Sequence, residues 1–164
     1  MRRVGFAPVV DARTRLLILG SLPGDASLKA DQYYAHPRNG FWRLSGGVIG
    51  CDLVDLAYPQ RLEALQAAGI GLWDVITTAH RAGSLDAAIR DPEFADLAGM
   101  IATLPQLRAV AFNGATAARA GRRTLAGVAD HLTLIDLPSS SPAHARPLAE
   151  KGRAWAVLGD FVEG

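Results

Sequence analysis

Cys51 is the only cysteine in this 164-residue chain. That excludes an intrachain disulfide, and it excludes a zinc ion or iron–sulfur cluster held by four cysteines. A lone free cysteine is expected to be a small packed residue rather than a nucleophile. No apolar run approaches the ~20 residues needed to cross a bilayer. Residues 1–8 carry charge but no long apolar stretch, so no secretory signal and a cytoplasmic location are expected. Lysine is scarce: of 17 basic residues only Lys29 and Lys151 are lysine, and the rest are arginine. Arginine grips phosphate bidentately, although GC-rich codons produce the same bias. The net charge is only +1, so no global basic field exists. Binding to nucleic acid is permitted by this charge but not argued by it.

What is present is a folding-competent chain. It is 49% hydrophobic with a mean hydropathy of +0.14, which fits one globular domain over residues 1–164. Strand and helix signals alternate. Residues 16–20, 70–76, 107–112 and 132–137 read as four buried strands. Residues 59–68, 93–103, 115–125 and 147–162 read as helices, the first starting at Pro59 and stopping at Gly69. The Gly-rich stretches 45–50 and 69–71 read as turns. Strands separated by helices imply parallel pairing with right-handed crossovers.

Two strand-end loops carry most of the functional information. One is Gly20-Ser21-Leu22-Pro23-Gly24, and the other is Pro138-Ser139-Ser140-Ser141-Pro142-Ala143-His144. In an open α/β sheet, loops at the carboxyl ends of strands line the ligand crevice. Glycine lets a backbone approach a ligand closely, and turns expose N–H groups to anions. The first loop is neither a Walker loop nor a dinucleotide fingerprint, since it lacks both spacings. A plain strand-exit turn would look the same. Small hydroxyls and prolines in the second loop suit a stiff segment that grips phosphates and presses into a duplex groove. Asp136, Ser139–Ser141 and His144 do not make a hydrolase triad, because the nucleophile-elbow pattern is absent.

Between the loops, Tyr33-Tyr34-Ala35-His36-Pro37-Arg38-Asn39-Gly40-Phe41-Trp42 gathers four aromatics with a His, an Arg and an Asn. Aromatic faces stack on bases, and an Asn amide can pair with a base edge. The plainer alternative is a packed loop, with Phe41 and Trp42 buried and Asn39 capping a helix that begins at Gly40. Asn113 ends an apolar strand, where an amide is well placed for a ligand and costly to bury unpaired. Asn-Gly is equally a turn signal. Asp74 and His80 near the end of the second strand read as structural residues.

Taken together, these blocks resemble the uracil-DNA glycosylase superfamily. Gly20–Gly24 is similar to its first motif and Pro138–Ala143 to its second, the minor-groove intercalation loop. Tyr34 to Trp42, Gly71-Leu72-Trp73-Asp74-Val75 and Phe112-Asn113-Gly114 fall in register with them. Gly-Ser-x-Pro-Gly and the Asn within His-Pro-Arg-Asn are similar to the hypoxanthine-DNA glycosylase branch.

The resemblance implies a three-layer α/β/α sandwich with a short, mainly parallel four-stranded sheet. It also implies a monofunctional glycosylase acting on a deaminated base in DNA, without a metal or other cofactor, and as a monomer. Asn39 and Asn113 would act on the flipped base or its leaving bond, with Ser21 or His36 assisting. Gly20, Leu22, Pro23, Gly24, Tyr34 and Phe41 would surround the base. Ser139, Ser140 and Ser141 would hold phosphates, and Pro142, Ala143 or His144 would fill the vacated stack. One departure matters: most members carry Asp or Asn in the first motif to position water, whereas this chain offers Ser21 and Leu22. Uracil or a mismatched base remains an alternative substrate, and a non-catalytic nucleic-acid-binding module an alternative function.

Overall fold

A computed structural model describes residues 2–162. The chain runs β1 (Arg2–Val4), β2 (Leu16–Gly20), α1 (Asp25–Ala30), α2 (Phe41–Ile49), α3 (Tyr58–Ala67), β3 (Ile70–Asp74) and β4 (Ile76–His80). It continues through β5 (Arg90–Phe94), α4 (Leu97–Ala102), β6 (Ala109–Asn113), α5 (Ala115–Leu125), β7 (Thr133–Leu137) and α6 (Leu148–Trp155).

Strands β2, β3, β6 and β7 form a parallel sheet in the order β3-β2-β6-β7. Both faces are covered, so β2 is apolar at nearly every position rather than alternating. Leu17, Leu19, Val110 and Phe112 pack on one face with Leu97 and Ile101 of α4 and Ala117 and Leu125 of α5. Leu16, Ile18, Ala109 and Ala111 pack on the other with Phe41 and Leu44 of α2, Leu65 of α3, and Trp155. The result is the expected α/β/α sandwich. Because β3 and β6 flank β2 on opposite sides, the order reverses there, and the carboxyl ends of β2 and β6 frame a crevice.

Three expectations need correction. The apolar run 70–76 is not one strand. It ends at Asp74, bends at Val75, and resumes as β4 in a second, antiparallel sheet ordered β1-β4-β5. The bend is held to the main sheet, since Val75 N–H donates to Gly20 O and Ile76 N–H to Ser21 O. The helix expected at 93–103 begins only at Leu97, where Asp96 Oδ1 accepts from Gly99 N–H at 3.0 Å. Before it lies β5, Arg-Asp-Pro-Glu-Phe, a mostly exposed edge strand that can carry Pro92 because it pairs on one side only. Residues 45–49 are not a turn but the end of α2, where a Cβ on Gly46 would stand 2.5 Å from the Cys51 carbonyl oxygen.

The closing helix also changes character. It runs as α6 and then tightens into a 3-10 segment, Ala156–Phe161.

Candidate active site

The carboxyl ends of β2, β3 and β6 deliver Gly20, Asp74 and Asn113 to one place. Gly20 lies in register with Asp74, and Asn113 with Leu137 at the start of the second loop. Around them is a cavity of about 590 Å3. It is lined by Gly20–Gly24, Tyr34, His36, Asn39, Asn113, and Ser139 through His144. The two loops and the aromatic block, separate pieces in the sequence, therefore share one crevice.

The second loop is pinned from four sides. Asn113 Oδ1 accepts from Ser140 N–H and its Nδ2 donates to Ser140 Oγ, both at 2.9 Å. Gly40 N–H donates to Ser140 O, Trp155 Nε1 to Pro138 O at 3.0 Å, and Lys151 Nζ to Ser141 O at 3.2 Å. Lys151 is itself buried, and that burial lowers the pKa of its ammonium. Gly114 adopts φ +101°, and a Cβ there would meet Ser139 Cβ at 3.1 Å, so glycine is required where loop and helix start converge.

The first loop is held from beneath. The Arg81 side chain, 5% exposed, donates to the carbonyls of Leu22, Pro23 and Gly83. Ser21 Oγ–H turns away from the sheet and donates to Asp86 Oδ1 at 2.7 Å. Asp25 N–H, at the start of α1, donates to Ser84 Oγ at 2.9 Å. Residues 81–89, which connect the two strands β4 and β5, thus form an arm bonded across the cavity mouth. Ser84, Leu85 and Asp86 all line that cavity, and Leu85 is 61% exposed at its tip.

Asn39 is both cap and pocket residue. Its Oδ1 accepts from Phe41 N–H at 2.9 Å, which fixes the amide orientation and leaves the NH2 group as a donor. His36 Nδ1 accepts from Arg38 N–H at 3.1 Å. Phe41 does not line the cavity: it is 0% exposed and stacks behind Tyr34, with centroids 3.9 Å apart and planes 8° from parallel. The aromatic wall facing the cavity is Tyr34, held at the left-handed φ of 53°.

Among the described residues, three buried side-chain polar atoms lack a hydrogen-bond partner: Tyr34 Oη, Asp74 Oδ2 and His144 Nδ1. All three residues line this cavity. Native proteins rarely bury polar atoms unpaired, and a bound water, an ion or a catalytic role is the usual reason for one. Burial, reinforced by the nearby Asp86 charge and opposed by Arg81, raises the Asp74 carboxyl to about 7. Burial and the Asp74 charge raise the Tyr34 hydroxyl, while the Asn113 amide pulls it the other way. Gly20 makes this cluster sterically feasible, since a Cβ there would lie 2.6 Å from Asp74 Oδ1 and 2.9 Å from Tyr34 Oη.

Sequence reasoning misses Asp74 and the arm residues Ser84, Leu85 and Asp86 as site residues. Asp74 carries the same signal as Asn113, a polar residue ending an apolar strand. The arm has no local signal, because the second sheet brings it to the mouth.

The family model of the uracil DNA glycosylase superfamily matches residues 7–159. The chain is similar to a protein named hypoxanthine DNA glycosylase from Methanosarcina barkeri, 43% identical over 95% of this chain and 97% of that protein. A second protein of that name, from Methanosarcina acetivorans, is 42% identical over 96% of this chain and 98% of its own length. The fold is similar to a solution NMR structure from Methanosarcina acetivorans, provisionally named a uracil DNA glycosylase. The TM-score is 0.87 at 41% identity, covering 97% of each chain. The chain therefore belongs to the uracil DNA glycosylase superfamily.

Proposed function

We propose that this protein is a monofunctional DNA glycosylase that hydrolyses the N-glycosidic bond of a deaminated base, hypoxanthine foremost. One observation carries the reading. A cavity at the carboxyl ends of the parallel strands combines an aromatic wall, an outward amide donor and an unpartnered acid, with a proline-stiffened loop at its mouth. Extrusion of the base costs a few kcal/mol, least at a mispair. Pro142, Ala143 and His144 occupy the space it vacates, while Ser139–Ser141 and the first loop hold the flanking phosphates.

Inside, the base stacks on Tyr34, whose ring is backed by Phe41. A deaminated base presents a carbonyl oxygen beside a ring N–H. The neutral Asp74 carboxyl has the complementary pair, one O–H donor and one acceptor oxygen. Asn113 is committed to Ser140 and its amide also acts on the Tyr34 hydroxyl, but its Oδ1 retains one lone pair for the same base. The Asn39 NH2 group donates to the departing base and stabilises the charge that develops as the bond breaks. The sugar becomes oxocarbenium-like, as in glycoside hydrolysis.

The test is cleavage of labelled duplexes carrying hypoxanthine, uracil or no lesion, followed by alkali to break abasic sites. Preferential cutting at hypoxanthine supports the reading. Cutting at uracil alone keeps the glycosylase and moves the substrate. A salt-sensitive shift without any cutting would make the protein a binding module.

A further inference from the structure

The hydrolysis proposed above needs a group to accept the proton of the attacking water. The first loop does not supply one: Ser21 is already a donor, and Leu22 is apolar. Five other residues lining the cavity could be considered: Asp25, Asp74, Asp86, His36 and His144. Asp25 is paired with Arg3 at 3.1 Å. Asp74 is 6% exposed at the inner wall beneath Gly20 and Tyr34, where an ionised carboxylate is disfavoured. His36 Nδ1 already accepts from its own loop. His144 belongs to the loop that enters the duplex, and its Nδ1 is buried.

Asp86 differs from all of these. It stands on the arm over the mouth, solvent-facing in the free protein. One oxygen is fixed by the Ser21 hydroxyl at 2.7 Å, and no hydrogen bond occupies Oδ2 among the described residues. The Arg81 guanidinium lies near enough for the two opposite charges to attract.

Resting on the glycosylase reading, we propose that Asp86 is the catalytic carboxylate of this site, supplied from the arm because the first loop lacks one. The water oxygen forms a bond to C1′ as the C1′–N bond breaks, and the bonding pair leaves with the base. The water proton passes to Asp86 Oδ2 and from there to solvent or the departing base. One water is consumed, and a free base and an abasic sugar result. Before attack, the same negative charge favours the cationic sugar. Ser21 is a positioning residue, since it acts by orienting Asp86.

The alternative is that the Ser21–Asp86 bond merely ties down the arm. The two roles separate in Asp86→Asn, because an amide oxygen still accepts from Ser21 but cannot take a proton. Single-turnover cleavage of a hypoxanthine duplex is measured together with affinity for a 2′-fluoro-hypoxanthine duplex that resists cleavage. Asp86→Asn is expected to lose about 100-fold or more in rate, the usual contribution of a positioned base, with affinity unchanged within about threefold. Ser21→Ala is expected to lose less, about 3–10-fold, because the carboxylate remains but is less well oriented. A rate for Asp86→Asn within about threefold of wild type overturns the proposal, and a defect confined to Asp86→Ala assigns the pair to tethering. Where wild type cuts uracil duplexes instead, the same comparison is made on those. If wild type cuts no lesion duplex, the glycosylase reading itself falls, and this assignment with it.

Discussion

The side-chain amide of Asn113 is bonded at both ends to one residue, Ser140, through its backbone N–H and its hydroxyl, each at 2.9 Å. A residue at the end of a core strand thereby sets the position of the second loop, the one the proposed function sets against DNA. Asn113→Ala should remove both bonds and leave Ser140 N–H buried without a partner, at a cost of about 1–3 kcal/mol. Urea denaturation checks the stability. In a double-mutant cycle with Ser140→Ala, the coupling should be about 0.5–3 kcal/mol, and additive losses would refute the link.

Asp74 gives the protein a pH signature. Burial lifts its carboxyl from the ordinary value of 3.8 to about 7 in the folded protein. The folded state therefore holds the proton while the unfolded state has already lost it. The stability associated with the neutral acid is fully present below about 4 and is lost as pH rises through about 7. Asp74→Asn removes the titration, so it should be more stable than wild type at pH 8 by a few kcal/mol, since each tenfold difference in proton affinity is worth about 1.4 kcal/mol. At pH 4 the two proteins should differ little. Thermal melts at both pH values test this. The cleavage rate of wild type should also fall above about pH 7 as the O–H donor is lost, and Asp74→Asn should lack that fall.

Gly20→Ala should abolish most activity with less damage to the fold. The new methyl would lie within 3 Å of both Asp74 and Tyr34, at the inner wall against which the proposed function sets the base. Overpacking of this kind costs about 1–3 kcal/mol. The expected loss in single-turnover rate is at least about tenfold, and wild-type cleavage would remove this wall from the base site.

Tyr34→Phe should separate wall from hydroxyl. The Tyr34 Oη is buried with no hydrogen bond of ordinary geometry, and only the Asn113 amide acts on it, so its removal should change stability by no more than about 1 kcal/mol. The stack on Phe41 is retained. Cleavage should persist in Tyr34→Phe and fall sharply in Tyr34→Ala, whose ring is gone. Equal rates in the two variants would exclude stacking on this residue.

Much of the fold is legible in the sequence because the parallel sheet writes its signal locally. Apolar runs such as 16–20 and 107–112 need no partner to be recognised, and the breaks after them at Gly20 and Asn113 mark the crevice. The aromatic block is legible only as composition. Which ring faces the cavity depends on the left-handed backbone at Tyr34, and nothing in the residue type announces that conformation. The resemblance therefore places Phe41 around the base, whereas it stands behind Tyr34, buried as in the packed-loop alternative. The small antiparallel sheet is not legible at all. Asp74 is the one polar residue in the run, and the apolar pattern resumes at once with Val75 and Ile76, so the sequence does not show that the chain bends there into a second sheet. β5 is short, polar and interrupted by Pro92. With that sheet unseen, Asp86 has no route to the site.

The arm hangs between β4 and β5, outside the parallel sheet, and meets the first loop and the start of α1 through the side chains of Arg81, Ser84 and Asp86. Its tip, Leu85 among its residues, faces outward. The segment is thus a module: its length and its tip can be rewritten without disturbing a single rung of the main sheet. A chain built this way can vary the outline of the cavity mouth at Leu85 and its exposed neighbours, provided Ser84 and Asp86 keep their bonds to the rest of the mouth, while the parallel sheet beneath is inherited whole.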